Sequence, residues 1–539
     1  MTDVQSIKAL PAPRARRGRG LRSLAARLAV WATDERSAPA VVIWFAALHA
    51  ALWTVILTAL KAAQDVHMDV AEAFAWGQQF LLGYGKHPPL SGWVAGLWFR
   101  VFPVTDWSSY ALAMATVAVG LVVCWHIAVR VVDRRRAFLT VLMLAIYPIF
   151  NFKGFKYNTD LLQLVTLPLI VLTFLQAFER RSVRAGIWLG LAAAAGVMTK
   201  YWALTVIGAA GLAVLAHPDR MRFIRSPAPW TALAVLVVGL APHVWWLVQV
   251  DFAPFTYAGD VYELASRSRA AQFALLYVGH NIALLAPVLL AAWGALFWQP
   301  LSQPWWRSLI RMPRASAGVD VAQARNVWVI QGIIGIVPPV AAVVFAIYIK
   351  TDWGIPLFFL VPLACLAIPR LRVQRIAIGR LALIWLAMTL VALIAAPLIA
   401  QSSVKQTAGI GSTSTPTAQF AQQLTDIWHA RFRSHWAVVA ATTEVGQPMV
   451  FYSPDHPAPL TPGELWSSGL TSLDEAKRLG FIGICDQGDY RLATCEAWMA
   501  QHAANAEQLN ISARRFFRGV SGPLVRWKVY VVPPAALAK

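Results

Sequence analysis

From residue 39 to residue 400 the chain alternates long apolar stretches with short polar ones. A membrane-crossing helix needs about 20 mainly apolar residues. The apolar runs therefore predict about eleven spans: 39–60, 107–129, 137–151, 161–178, 185–198, 201–216, 229–250, 273–298, 327–349, 354–369 and 380–400. After residue 400 the pattern changes. "GIGSTSTPTAQ" is a small, polar linker, followed by strand-like runs ("QPMVFYS", "GFIGIC", "WKVYVV") and helix-like ones ("SLDEAKRL", "CEAWMAQHAANA"). Apolar alternation broken by Pro and Gly predicts a small α/β domain over 401–539, long enough to bury its own core. No internal repeat of fixed period occurs, which argues against solenoids and propellers.

Composition agrees with a polytopic membrane protein: 58% of the 539 residues are hydrophobic and 14% charged, against about 25% charged in ordinary soluble domains. The formal net charge is +21. Such a charge often signals nucleic-acid binding, but here its placement is topological. Segments on one side of the predicted spans hold 26 of the 47 Lys and Arg: the N-terminal arm, "RVVDRRR", "ERRSVR", "HPDRMRFIRSP", the 299–326 loop and "RLRVQRIAIGR". Loops on the other side hold nine and the tail twelve. The positive-inside rule puts the richer side in the cytoplasm. The expectation is a bacterial inner-membrane protein with a basic cytoplasmic arm (1–38), a membrane domain (39–400) and an extracytoplasmic, periplasmic C-terminal domain. The end of the arm suits an amphipathic helix lying on anionic lipid. Cys124 and Cys365 lie in apolar runs; Cys485 and Cys495 lie in the polar "CDQGDYRLATC", where an oxidising compartment allows them to pair.

The outside loops carry the candidate chemistry. "DVHMDVAEAFAWGQQFLLGYGKHPPL" (65–90) follows the first span. A helix from Asp69 to Phe80 places Asp69 and Glu72 on one face with Ala73 and Trp76, and turns Phe74, Phe80 and Leu81 toward lipid or protein. "GYGKHPPL" ends it and fixes Lys86 and His87 near the carboxylates. Other outside loops mix acids, lysines and aromatics in the same way: Lys153, Lys156, Asn158 and Asp160 in "NFKGFKYNTDL", Lys200 and Tyr201 in "MTKYW", Asp251, Tyr257, Asp260, Glu263, Arg267 and Arg269 in "DFAPFTYAGDVYELASRSR", and Lys350, Asp352 and Trp353 in "YIKTDWGIP". Together they predict a shared polar cavity, although a lone interfacial lysine is more commonly a snorkelling anchor.

These motifs, with "YNTDLLQLVTLPL", "GLAAAAGVMTKYWAL" and "APHVWWLVQVDFAPFTYA", resemble the membrane glycosyltransferases of C-type (GT-C) fold over residues 40–400. The narrower resemblance is to glycosyltransferase family 39, the branch holding protein O-mannosyltransferases and bacterial aminoarabinose transferases of lipid A. Many members read Asp-Glu where this chain has Asp69-Val70, and Lys-Pro-Pro where it has His87-Pro88-Pro89. The resemblance implies an α-helical polytopic membrane protein that moves a sugar from a polyprenyl-phosphate donor to a lipid, glycan or protein acceptor in the cell envelope. It implies Asp69, with Glu72, as the catalytic carboxylates, Asp69 acting as base toward the acceptor hydroxyl. Lys200, Lys153, Lys156, Arg267 and Arg269 become candidates for the donor phosphate. Lys86, His87, Trp76, Tyr84, Asn158, Asp160, Tyr201, Tyr257 and Asp352 become candidates for binding substrate. Two alternatives stay open: Glu72 and His87 hold a divalent metal, or Glu72 pairs with Lys86; and the aromatics stack on a sugar or belong to the interfacial belt. A competing function, a transporter, calls for charges at mid-membrane and repeated halves with broken helices. The predicted spans are instead nearly free of acids. Nucleic acid is not an expected partner.

Overall fold

The computed structural model describes residues 27–297, 318–462 and 471–537. Most of the basic arm and most of the 299–326 loop lie outside these residues.

The membrane domain opens with α1 (Ala38–Leu60), which has Pro39 in its first turn, where no intrahelical N–H is needed. The loop after it folds into two short helices, α2 (Met68–Gly77) and α3 (Leu90–Val101). Next come α4 (Asp106–Val131), α5 (Arg134–Ile146), α6 (Thr159–Arg180), α7 (Val183–Thr199), α8 (Ala203–Ala216) and α9 (Pro227–Gln249). The loop helix α10 (Ala253–Tyr262) leads into α11 (Arg267–Phe297), α12 (Val321–Val344) and α13 (Val361–Leu366), the last reached through a 3-10 stretch (Thr351–Leu360). α14 (Ile376–Ser403) completes the bundle.

Among the described residues seven helices (α1, α4, α6, α9, α11, α12 and α14) are long and apolar enough to cross a membrane, and α7, α8 and Thr351–Leu366 are shorter apolar segments. Each predicted span falls on a helix. The run 137–151 stops being α-helical at Ile146, where Pro148 opens a tight turn. α7 and α9 pack backbone to backbone: a Cβ on Gly186 would lie 2.4 Å from the Ala228 carbonyl oxygen, and one on Gly190 2.6 Å from that of Ala232. Small residues four apart on both helices allow this approach where no hydrophobic force acts between spans.

The C-terminal domain contains α15 (Thr417–Phe432), β1 (Val438–Ala440), α16 (Thr443–Tyr452), β2 (Ala458–Leu460), α17 (Leu473–Leu479), β3 (Phe481–Asp486), α18 (Leu492–His502), β4 (Glu507–Phe517) and β5 (Val520–Val532). Its sheet runs β2-β1-β3-β5-β4. β1 is parallel to β2 and β3, whereas β5 is antiparallel to β3 and β4. The β4–β5 hairpin turns at Arg518 and Gly519, both at positive φ, as a two-residue primed turn requires. Cys485 and Cys495 are joined by a disulfide that ties β3 to α18.

Three expectations need correction here. "QPMVFYS" is not a strand; it lies in α16. Val445 and Met449 recur at helical spacing, but the segment is buried on almost every side, so its outer face carries no polar signal. The "GIGSTSTPTAQ" segment folds back on the first loop, where the Thr413 carbonyl accepts from the Asp65 N–H (2.8 Å). α2 ends at Gly77 rather than Phe80, which sits at positive φ. The break allows α3 to approach: a Cβ on Gly77 would lie 2.5 Å from the Gly96 nitrogen.

Candidate active site

α2 is walled on one side by the C-terminal domain and opens on the other into a cavity of about 340 Å³. Its N-cap is His67, whose Nδ1 accepts the Asp69 N–H (3.1 Å). Asp69 thus sits in the first turn, where the helix dipole favours a negative charge. Asn158 caps α6: its Oδ1 accepts the Leu161 N–H (2.9 Å), which leaves its amide N–H to donate to Asp69 Oδ2 (2.8 Å). Lys156 Nζ lies 3.2 Å from the same carboxylate oxygen. Burial opposes charge on Asp69, but Lys156, His67 and Lys86 outweigh it and hold the carboxyl well below the usual carboxylate range. Asp69 is therefore ionised at neutral pH. Burial also opposes charge on Lys156, yet Asp69 and Asp160 raise its pKa, so the pair is mutually stabilised.

One turn along α2, Glu72 pairs with Lys86 at 2.5 Å, both side chains nearly buried. Lys86 lies in a tight bridge in which the Tyr84 and His87 backbones exchange hydrogen bonds of 3.0 and 3.1 Å. The bridge is clamped to α2: the Tyr84 hydroxyl donates to the Trp76 carbonyl (2.6 Å), and the two rings stack at 4.9 Å. Burial, with Lys200 and Lys86 nearby, pushes His87 well below its ordinary pKa, so its ring is neutral. Across the cavity Lys200 follows the end of α7 and donates to Asp160 (2.6 Å). Its ammonium also lies 4.9 Å from the centre of the Trp353 ring, a cation–π distance. Tyr257 and Tyr262 of α10 share a hydroxyl–hydroxyl bond of 2.9 Å, and Tyr262 meets Trp353 edge to face at 4.9 Å.

Nine of the expected residues line one cavity: Asp69, Glu72, Trp76, Lys86, His87, Asn158, Asp160, Lys200 and Tyr257. Lys156 reaches it through Asp69. The others are placed elsewhere. Tyr84 is fully buried behind Trp76 and acts as a brace. Lys153 pairs with Asp352 (3.1 Å), and neither lines the cavity. Tyr201 donates to or accepts from His243 (2.9 Å), away from the lining. Arg267 and Arg269 are exposed at the start of α11, because the turn after Tyr262, the last residue of α10 and still part of the lining, carries the chain out of the cavity before they occur. Among the described residues no three or more His, Cys, Asp or Glu side chains converge as a metal-binding group. Glu72 is engaged by Lys86, and His87 lines the cavity beside it as a further donor.

Tyr262 and Tyr348 also line the cavity without having been expected there, and Lys350 and Trp353, expected only as members of the outside-loop cluster with no role assigned, line it too. Lys350 and Trp353 share a loop with Asp352, and that shared loop was the available signal. Lys350 makes no ion pair among the described residues, whereas Lys86, Lys153, Lys156 and Lys200 are each matched to a carboxylate. These pairs gather at helix ends and in loops rather than at mid-span, which is not the arrangement of a transport path.

Over nearly its whole length the chain matches ArnT from Cupriavidus metallidurans in the crystal structure with undecaprenyl phosphate bound: TM-score 0.60, 13% identity, 92% of this chain and 99% of that one. The fold is GT-C. The apo structure of the same enzyme superposes on this GT-C chain with a TM-score of 0.58, over 92% of this chain and 98% of that one, again at 13% identity. The profile of the dolichyl-phosphate-mannose-protein mannosyltransferases matches residues 86–246, the stretch from Lys86 through Asn158 and Lys200. The lipid A galacturonosyltransferase RgtD of Rhizobium johnstonii is 26% identical over 225 residues. That match spans 39% of this chain and less than half (44%) of the relative.

Proposed function

We propose that this protein is an inverting glycosyltransferase that moves a sugar from a polyprenyl-phosphate donor to a hydroxyl of a lipid acceptor. We place the reaction on the periplasmic face of the bacterial inner membrane. The observation that carries the reading is the charge pattern of the cavity: an ionised Asp69 on the α2 wall, with Lys86, Lys200 and Lys350 around it. The fold shared with an enzyme crystallised with undecaprenyl phosphate supports the donor class, and the lipid A relative supports a lipid acceptor.

The chemistry follows from the groups present. The acceptor oxygen attacks the anomeric carbon while the bond from that carbon to the phosphate oxygen breaks. The attacked carbon inverts, the hydroxyl proton passes to Asp69, and the electron pair leaves with the lipid phosphate. Asp69 is a weak base because its pKa is low, so proton transfer comes late, once bond formation has acidified the hydroxyl. The leaving phosphate gains charge, and lysines already in place stabilise it without reorganisation. Lys86 and Lys200 change partner from carboxylate to phosphate as the donor enters. No step requires a metal.

The transferred sugar, in this reading, is an acidic hexose. Lys350 lines the cavity with Tyr348 and Trp353 and makes no ion pair among the described residues, which suits it to a sugar carboxylate against an aromatic wall. Deleting the gene and weighing the envelope lipids tests the reading. A lipid species lacking one hexuronic acid is expected, restored by the wild-type gene and not by Asp69→Asn. Unchanged lipid masses, or full restoration by Asp69→Asn, refute it.

A further inference from the structure

We propose that the C-terminal domain is the positioning element for the Asp69 helix, and that Asp65, Arg515 and Tyr452 form the latch through which it acts. The activity arm of this inference rests on the transfer reaction proposed above; the rest stands on geometry alone.

α2 has ten residues, fewer than an isolated helix needs to hold in water. Its stability must come from packing. The face opposite Asp69 and Glu72 (Val70, Ala71, Phe74 and Ala75) is buried in the same apolar cluster as Phe420 and Trp527 of the C-terminal domain. Phe74 meets Phe451 of α16 edge to face at 5.5 Å. The helix carrying the proposed base is thus a partition: one face belongs to the core of the C-terminal domain, the other to the cavity.

The chain entering α2 is held as firmly. Asp65 is buried, and its Oδ1 lies 2.7 Å from Arg515 Nη2 on β4. Its Oδ2 accepts from the Thr417 hydroxyl (2.7 Å) and the Ala418 N–H (2.9 Å) at the start of α15. The next residue, Val66, donates its N–H to the Tyr452 hydroxyl (2.7 Å), which in turn donates to Asp106 at the start of α4 (2.8 Å). One hydroxyl therefore joins the C-terminal domain, the α2 approach and a membrane helix. Asn158 and Lys156, which engage Asp69, belong to the membrane domain. If the latch loosens, Asp69 drifts relative to them, and a displacement of about 1 Å in a reacting group costs roughly 100-fold in rate.

The test uses the full chain in lipid nanodiscs, with Arg515→Met, Arg515→Lys and Tyr452→Phe. Hydrogen exchange is followed by mass spectrometry in peptides covering Met68–Gly77, with β3 and β5 peptides reporting whether the domain stays folded. Faster exchange in α2 alone is expected for Arg515→Met and Tyr452→Phe. The turnover number should fall about 10- to 100-fold, with the donor KM within about twofold, and Arg515→Lys should recover part of the loss. If Arg515→Met also exposes β3 and β5, Tyr452→Phe, which removes one hydroxyl and keeps the ring, decides alone. Unchanged α2 exchange in Tyr452→Phe, or loosened α2 with undiminished turnover, overturns the latch. A wild-type chain that transfers no sugar overturns the enzymatic reading instead and leaves the exchange result to judge the latch.

Discussion

The two ends of α4 use positive charge in opposite ways. At the Val131 end the cations are arginines: Arg130 and Arg134 pair with Glu179 and Glu35, and the next two fasten loop backbone. Arg136, almost wholly buried, donates to Asp133, to the Gly318 carbonyl (3.2 Å) and to the Leu371 carbonyl (2.8 Å). Arg135 donates to the Val373 carbonyl (2.7 Å). At the far end, about 39 Å away at 1.5 Å per residue, the cavity cations are lysines, and Lys86, Lys153, Lys156 and Lys200 are each set against a carboxylate. A guanidinium has five donors in a rigid fork and fastens several loops at once; an ammonium is a compact charge on a flexible stem that exchanges partners readily. The arginine end is built to stay fixed, and the lysine end to accept an anion.

Substitutions can break this comparison. The largest effect is expected for Lys200→Ala, about 100- to 1000-fold in turnover, with little change in thermal unfolding; a large loss of stability would put Lys200 in the structural class instead. Arg136→Met should do the reverse. Leaving Asp133 and two loop carbonyls without their partner costs about 3 kcal/mol of stability, visible as earlier unfolding in detergent, while turnover per folded molecule is retained. Lys156→Met sharpens the electrostatic side. With Lys156 present, Asp69 is charged at every pH above the ordinary carboxylate value of 3.8, so its pairing contributes stability throughout that range and loses it only as pH falls through the depressed pKa. Without Lys156, the largest of the charges that hold the carboxyl down is gone, and the Asp69 pKa rises. The acid limb of the rate profile should then move to higher pH than in the wild type. The smallest effect is expected for Lys350→Met, a rise of about 3- to 10-fold in donor KM; no rise would remove Lys350 from the donor site.

The α2 loop shows how far residue patterns reach. Asp69, Glu72, Ala73 and Trp76 share a face at helical spacing, and all four line the cavity. The lysine of "MTKYW" and the Asn and Asp of "KYNTDL" also stand where a helix ends or begins, which is how they reach it. Arg267 and Arg269 had the same chemical type and a similar loop context, yet they are exposed. Nothing local distinguishes them from Lys200, because the difference is the path of the turn after α10 through space. Tyr262 and Tyr348 carry no distinguishing signal for a related reason: at a membrane edge an aromatic of the interfacial belt and one that faces a substrate are the same residue type.

Hydrophobicity and period are properties of a short window, so the sequence by itself determined the membrane bundle, the positions of its helices, the polar loops between them and the face of α2 that carries the acids. Which lysine meets which carboxylate, which aromatics close the cavity, and that the C-terminal domain stands behind α2 were decided by the tertiary structure. Each of these depends on distances between segments far apart in the chain. A hydrogen bond needs its partners within about 3 Å and an ion pair weakens as its charges separate, so both become definite only when folding brings the partners together.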